Sequence, residues 1–305
     1  MLQNIIQKIF FIIYENIINI KKREDNDFYE NKPRQLIVSK ETYEKLDSTY
    51  IRESYESNNN KIMLKYKTKK GNNKCIIYLP GFNDYMFQYD FNEKMINNGY
   101  DIYGLILRNY SEVIETDKKE LTCYTDKPES YIQDMDLLIK KILEKNNNYS
   151  KIFIKGHSTG GLTGTYYCHL GAYKDKINGL ILNSPFLDLY DKFYLEIFLK
   201  ILAFLFGNIY PKLKLREFTP AENQSIGTQN YYKDIKNRYY YDDRYYGFTL
   251  ALYLSWVKVC LHYQNYVRKN KLDIPIIVFY SDKTLLKSTV PIDILKTGDV
   301  VLDVK

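Results

Sequence analysis

The chain is poor in the residues that most often build metal centres and disulfide frameworks. Only three histidines occur in 305 residues, and the four cysteines, Cys75, Cys123, Cys168 and Cys260, lie far apart with no C-x-x-C pair and no His/Cys ligand spacing. That pattern excludes a zinc module and a disulfide scaffold, implies no metal site, and suits reduced thiols in a cytosolic-type compartment. No cofactor is implied either. Charge of one sign is not gathered anywhere. The formal charge of +7 and pI near 8.8 would suit a polyanion, but Lys and Arg are mixed with Asp and Glu along the chain, which excludes a dedicated nucleic-acid protein. Tyrosine is abundant at 32, and the run Arg238 to Tyr246 has the look of a base-stacking platform. Tyr, Asn, Ile and Lys are enriched together, however, as AT-rich coding DNA produces.

Glycine is also sparse, at 14, yet Gly156, Gly160 and Gly161 fall within six residues. They close the stretch Lys151-Ile-Phe-Ile-Lys-Gly-His-Ser-Thr-Gly-Gly161, in which a short apolar run stops at a G-x-S-x-G pattern, the nucleophile elbow. A strand that must turn at once into a helix holds Ser158 in a strained conformation with its hydroxyl at the tip of the turn, and a Cβ at either flanking glycine would strike neighbouring backbone. The following helix, roughly 161–170, aims its N-terminal N–H groups and positive dipole end at the space beside Ser158. A tetrahedral oxyanion would form there, with Thr159 N–H as one donor.

The first twenty residues are apolar enough to suggest a membrane span, but Lys8, Glu15 and interspersed Asn and Gln argue against one, and no small-residue cleavage site follows. At helical period Leu2, Ile5, Ile6, Ile9, Ile12, Ile13, Ile17 and Ile20 share a face, which predicts an amphipathic helix. It either docks on the protein's own body or lies in a membrane interface with Lys21, Lys22 and Arg23 at the headgroups. The expected location is therefore cytoplasmic, with peripheral membrane contact through residues 1–23 as one option. A polar linker completes an N-terminal segment, 1–34, and one domain is expected over 35–305.

Within that domain, Gln35 to Ser39 and Lys61 to Lys67 read as strands, separated by a stretch that includes a loop from Ser54 to Asn60. Lys74 to Leu79 is a buried-type strand, Phe87 to Asn98 is helix-like, and Asp101 to Leu107 is a strand. Pro128 to Lys145 carries helical apolar spacing with proline in its first turn. The elbow strand, Gly179 to Asn183 and Ile274 to Tyr280 complete a series of apolar strands alternating with helices. The fold class is α/β, a largely parallel sheet covered on both faces. An insertion of about 186–246 opens with the apolar run Phe193 to Phe206. This is either an ordinary crossover helix or a lid offering apolar surface to an acyl chain, and the length of the excursion favours the lid.

Several segments together resemble the α/β-hydrolase superfamily, in its serine hydrolase branch of monoacylglycerol lipase-like and lysophospholipase-like enzymes. They are Leu79-Pro-Gly-Phe-Asn-Asp-Tyr85, Gly99-Tyr100-Asp101, Leu107-Arg108, the elbow at Ser158, Asn183-Ser184-Pro185-Phe186 and Tyr280-Ser281-Asp282. The resemblance implies hydrolysis of small lipid-like esters, with Phe82 N–H joining Thr159 N–H in the oxyanion hole; Pro80 stands where relatives usually have histidine. It also implies Asp282 as the orienting acid, with Asp188 a weaker alternative, although Asp282-Lys-Thr would serve equally as a helix cap. The chain order Ser, acid, His calls for a histidine after Asp282, and none follows. Residues Thr297 to Val304 look like the segment just ahead of it, so the family's last strand and base are expected to be missing. His157 should point away from Ser158. His169 lies eleven residues along the helix, about 16 Å away at 1.5 Å per residue. His262 precedes the acid. The expected function is a serine-nucleophile ester hydrolase; the alternatives are a non-catalytic protein that keeps the pocket, and a truncated product.

Overall fold

A computed structural model describes residues 40–110, 112–188, 193–218 and 249–280. The amphipathic segment 1–20, the strand expected at Gln35 to Ser39, the tyrosine cluster and Asp282 lie outside the described residues. The chain enters through helix α1 (Lys40–Asp47), then strands β1 (Ile51–Ser57), β2 (Asn60–Lys67) and β3 (Lys74–Leu79), helix α2 (Tyr89–Asn97) and β4 (Tyr100–Ile106). Helix α3 (Pro128–Lys145), β5 (Lys151–His157), α4 (Thr159–Leu170) and β6 (Gly179–Asn183) follow. Helix α5 (Phe193–Phe206), the short strands β7 (Lys214–Phe218) and β8 (Leu250–Tyr253), helix α6 (Leu254–Lys269) and β9 (Ile276–Phe279) complete it.

Seven strands form one sheet in the order β1-β2-β4-β3-β5-β6-β9. Strands β4, β3, β5, β6 and β9 are parallel, and β1 and β2 add an antiparallel margin. One expectation fails here: Ser54 to Ser57 are not loop but the second half of β1. The turn is only Asn58-Asn59, both at positive φ (49° and 61°), as a two-residue hairpin turn whose twist matches its strands requires. The polar composition of β1 hid it, because most of its residues are not buried.

Alternation along β3 divides the core. Cys75, Ile77 and Leu79 join a cluster with Leu105, Met135, Leu138 and Leu162 from β4, α3 and α4. Ile76 and Tyr78 face the other way, into a cluster with Tyr43, Tyr85, Tyr89 and Ile96 from α1, α2 and the loop after β3. All four cysteines are free and buried. A buried ion pair braces the end of β4: Arg108 Nη2 and Nε donate to the two oxygens of Asp134 on α3, at 2.6 and 2.8 Å. Removing one partner would leave a buried charge unpaired. No helix among the described residues is long and apolar enough to cross a membrane.

Chain order reverses between β3 and β5. From β3 the chain moves outward to β4, and β5 then pairs on the other side of β3. The crevice at such a reversal, beyond the carboxyl ends of the strands, is where ligands bind in open parallel sheets. The registers bring those ends level: Leu79 lies beside Gly156, His157 beside Asn183, and Asn183 beside Phe279.

Candidate active site

The elbow sits at that crevice. Ser158 adopts φ 49°, ψ −117°, outside the regions a side chain favours, at a cost of roughly 1–3 kcal/mol. The surroundings hold it there from both sides. Its N–H donates to Asn183 O at 3.0 Å, and its carbonyl accepts from Gly161, Leu162 and Phe186 N–H at 3.0, 3.2 and 3.0 Å. The flanking glycines are steric necessities. A Cβ on Gly156 would lie 2.5 Å from Gly161 Cα, and one on Gly160 would lie 2.3 Å from Leu79 O. Strand and helix therefore meet backbone to backbone, with α4 starting at Thr159, slightly earlier than its expected start.

The turn after β3 lies against the elbow. A Cβ on Gly81 would come within 3.2 Å of Ser158 Cβ, so the Gly81-Phe82 turn runs beside Ser158. Among the described residues neither Phe82 N–H nor Thr159 N–H is taken by an acceptor, which leaves two donors for a developing oxyanion. The Phe82 ring packs on Trp256 of α6, centroids 4.6 Å apart. The loop after β6 closes the other side, where Pro185 packs directly on Gly161.

Asp188, the alternative acid, is placed elsewhere. It accepts from Arg268 Nη2 at 2.7 Å in an ion pair whose side chains are 62 and 52% exposed. Each of the three histidines has a ring or hydrogen-bond partner other than Ser158. His157 Nδ1 meets Asp84 Oδ2 at 3.0 Å. His262 Nε2 meets the Tyr166 hydroxyl at 3.1 Å, eight residues beyond Ser158 and so about 12 Å along α4; burial holds its pKa below the ordinary value. His169 stacks edge-on to Tyr266, and its pKa is lowered by burial and by Lys174.

Three contributors were missed in the sequence: Asp84 and His157 as partners, and Trp256 as the wall behind Phe82. Asp84 was in view within the turn, but nothing in the chain order signals its contact with His157. No cluster of three or more candidate metal ligands occurs among the described residues. A hollow of about 410 Å³ lined by Tyr66, Asp101 and Tyr149 lies at the opposite end of the strands, and no serine or cysteine lines it.

The fold recurs in solved structures. A soluble variant of monoglyceride lipase from Saccharomyces cerevisiae, in complex with a substrate analog, superposes with a TM-score of 0.57 at 19% identity over 75% of each chain. The monoacylglycerol lipase of Paleococcus ferrophilus gives 0.52 at 16% identity, over 76% of this chain and 79% of that one. A lipase in its open form gives 0.55 at 12%, over 77 and 81%. No curated protein sequence matches. The Hydrolase_4 family profile, described as serine aminopeptidase, S33, matches residues 71–288, from the turn before β3 to beyond β9. By that match and by its mostly parallel sheet, the chain belongs to the Hydrolase_4 family and is an α/β-hydrolase.

Proposed function

We propose that the protein is a serine-nucleophile carboxylic-ester hydrolase acting on small lipid-like esters. The observation that carries this reading is the strained Ser158 with two backbone donors, Phe82 N–H and Thr159 N–H, unengaged among the described residues. In this mechanism the Ser158 hydroxyl attacks the ester carbonyl, the two N–H groups hold the oxyanion, and an acyl-enzyme forms and is hydrolysed. Asp282 is the orienting acid. Its support is that β9 pairs with β6 so that Phe279 ends level with Asn183, on the elbow side of the sheet.

The lid reading belongs to the same proposal. Helix α5 buries Leu202 and Ala203 but leaves Ile197, Ile201, Phe204 and Leu205 exposed, an apolar face at helical spacing that an acyl chain can use. The apolar face of Leu2, Ile5, Ile9 and Ile13 supports peripheral membrane contact through residues 1–23 as part of the same reading, with docking on the protein's own body as its alternative.

A serine hydroxyl is a poor nucleophile without a base, and the engagement of all three histidines favours a second reading, a fold that binds an ester or lipid without turning it over. Hydrolysis of p-nitrophenyl butyrate by the 305-residue polypeptide and by Ser158→Ala separates the two. Turnover is expected at roughly four to six orders of magnitude below a complete triad, and exogenous imidazole should raise the Ser158-dependent part at least about tenfold by acting as a general base. Equal rates for both proteins with imidazole present would leave the binding reading. Brisk unaided turnover lost in Ser158→Ala would show that one of the three histidines moves to the serine.

A further inference from the structure

The turn that carries Phe82 has little regular structure to hold it, yet it must hold one N–H about 2.7–3.1 Å from an oxyanion. Asp84 is the device. Its Oδ1 accepts from Tyr85 N–H at 2.8 Å. Its Oδ2 faces His157 Nδ1 at 3.0 Å, accepts from the Tyr78 hydroxyl at 3.3 Å and, at the long end, from Gly81 N–H at 3.5 Å. The backbone adds Asp84 N–H to Gly81 O at 3.2 Å. One carboxylate, 11% exposed, thus fastens both ends of the turn, the strand before it, and the residue adjoining Ser158.

His157 is the far anchor. A carboxylate accepts only, so the imidazole meets it through an Nδ1–H. A Cβ on Gly81 would lie 3.1 Å from His157 Nδ1 and 3.2 Å from Ser158 Cβ, so the His157 ring and Ser158 both border the turn at Gly81. Two residues back on β5, Lys155 projects to the same side. Its ammonium lies over the rings of Phe91 and Tyr78, 3.8 and 5.1 Å from their centroids, a positive charge behind the carboxylate.

We propose that Asp84 and His157 form a positioning pair that locks the Phe82 turn to the nucleophile elbow and so sets how well the oxyanion is held. Neither residue touches substrate. The inference rests on the Ser158 hydrolase reading, and it assigns the histidine of the G-H-S-T-G elbow a role distinct from that of a general base.

The test uses the full chain with Asp84→Ala, His157→Leu, His157→Asn and Ser158→Ala. Amide hydrogen exchange of the 80–86 peptide reports the turn directly, and Ser158-dependent p-nitrophenyl butyrate hydrolysis in imidazole reports the oxyanion site. Asp84→Ala and His157→Leu should speed exchange in 80–86 by about tenfold or more while leaving the α3 peptides unchanged. They should lower kcat by about 10²–10³, the usual loss for one oxyanion donor, with KM within about twofold. His157→Asn, which keeps an N–H where Nδ1 stood, should stay within about threefold of wild type in both measurements.

Wild-type exchange and kcat in His157→Leu would overturn the proposal, as would a loss carried by KM alone or a His157→Asn no better than Leu. Should Asp84→Ala fail to fold, the Leu and Asn variants at His157, a side chain 39% exposed, still decide. If Ser158→Ala hydrolyses as fast as wild type, the hydrolase reading falls, and the exchange measurements alone decide whether the pair fixes the turn.

Discussion

Strands β3 and β9 are written in nearly the same language, Lys-Cys-Ile-Ile-Tyr-Leu and Ile-Ile-Val-Phe, and both run parallel to their neighbours. Their surroundings are opposite. β3 lies between β4 and β5 under helices on both faces, with Ile76 and Ile77 2% and 0% exposed; β9 pairs only with β6 among the described residues, and Ile277 and Phe279 are 57% and 55% exposed. The same apolar strand is therefore a core element in one place and an open margin in the other. The proposed site lies at the covered end, where neighbours that cannot yield hold Ser158 in its strained conformation.

The largest effect expected from breaking this contrast is at Gly156. Its replacement by Ala would put a Cβ 2.5–2.7 Å from the backbone of Gly160 and Gly161, and only separating β5 from α4 relieves that. Chemical denaturation should show a loss upward of about 4 kcal/mol, or no folded protein.

Next comes a paired substitution. Ile77→Ala should cost about 3 kcal/mol by lost transfer energy and cavity formation, whereas Ile277→Ala, exposed on β9, should cost under about 1 kcal/mol. Equal losses in urea titrations would show that β9 is as enclosed as β3.

The smallest effect is electrostatic. Burial holds the Lys155 ammonium down to about 8, against the pull of Asp84 and Asp90. Its folded value is below its unfolded one, so the unfolded chain binds more protons between about pH 8 and 10.5, and this residue's contribution makes stability rise with pH through that window. Lys155→Met should flatten the rise and add about 3 kcal/mol below pH 8. A curve of unchanged slope would show that the ammonium is better solvated than its place between two aromatic rings implies.

Much of this was legible in the chain itself. Pro128 to Lys145 announces a helix by apolar spacing, and Gly179 to Asn183 announces a buried strand by composition; the structure has both with those bounds, and the apolar run Phe193 to Phe206, read as a crossover helix or a lid, is helical. The G-x-S-x-G spacing located Ser158 because only glycine fits where strand and helix backbones touch, a constraint written in residue types. The β1 half of the hairpin was illegible because its side chains are mostly not buried, leaving no hydrophobic signature to read.

What the sequence determined by itself was the local grammar: which segments are helix or strand, and where the backbone must pass through a strained turn. Tertiary structure decided the partners. It decided that Asp84 meets His157 across 73 positions, that Asp188 goes to Arg268 and His262 to Tyr166, and that Ile77 is enclosed while Ile277 is not. Those outcomes depend on strand order and on which helix covers which face, which are properties of distant segments brought together. Nothing in the period or composition of one segment records them.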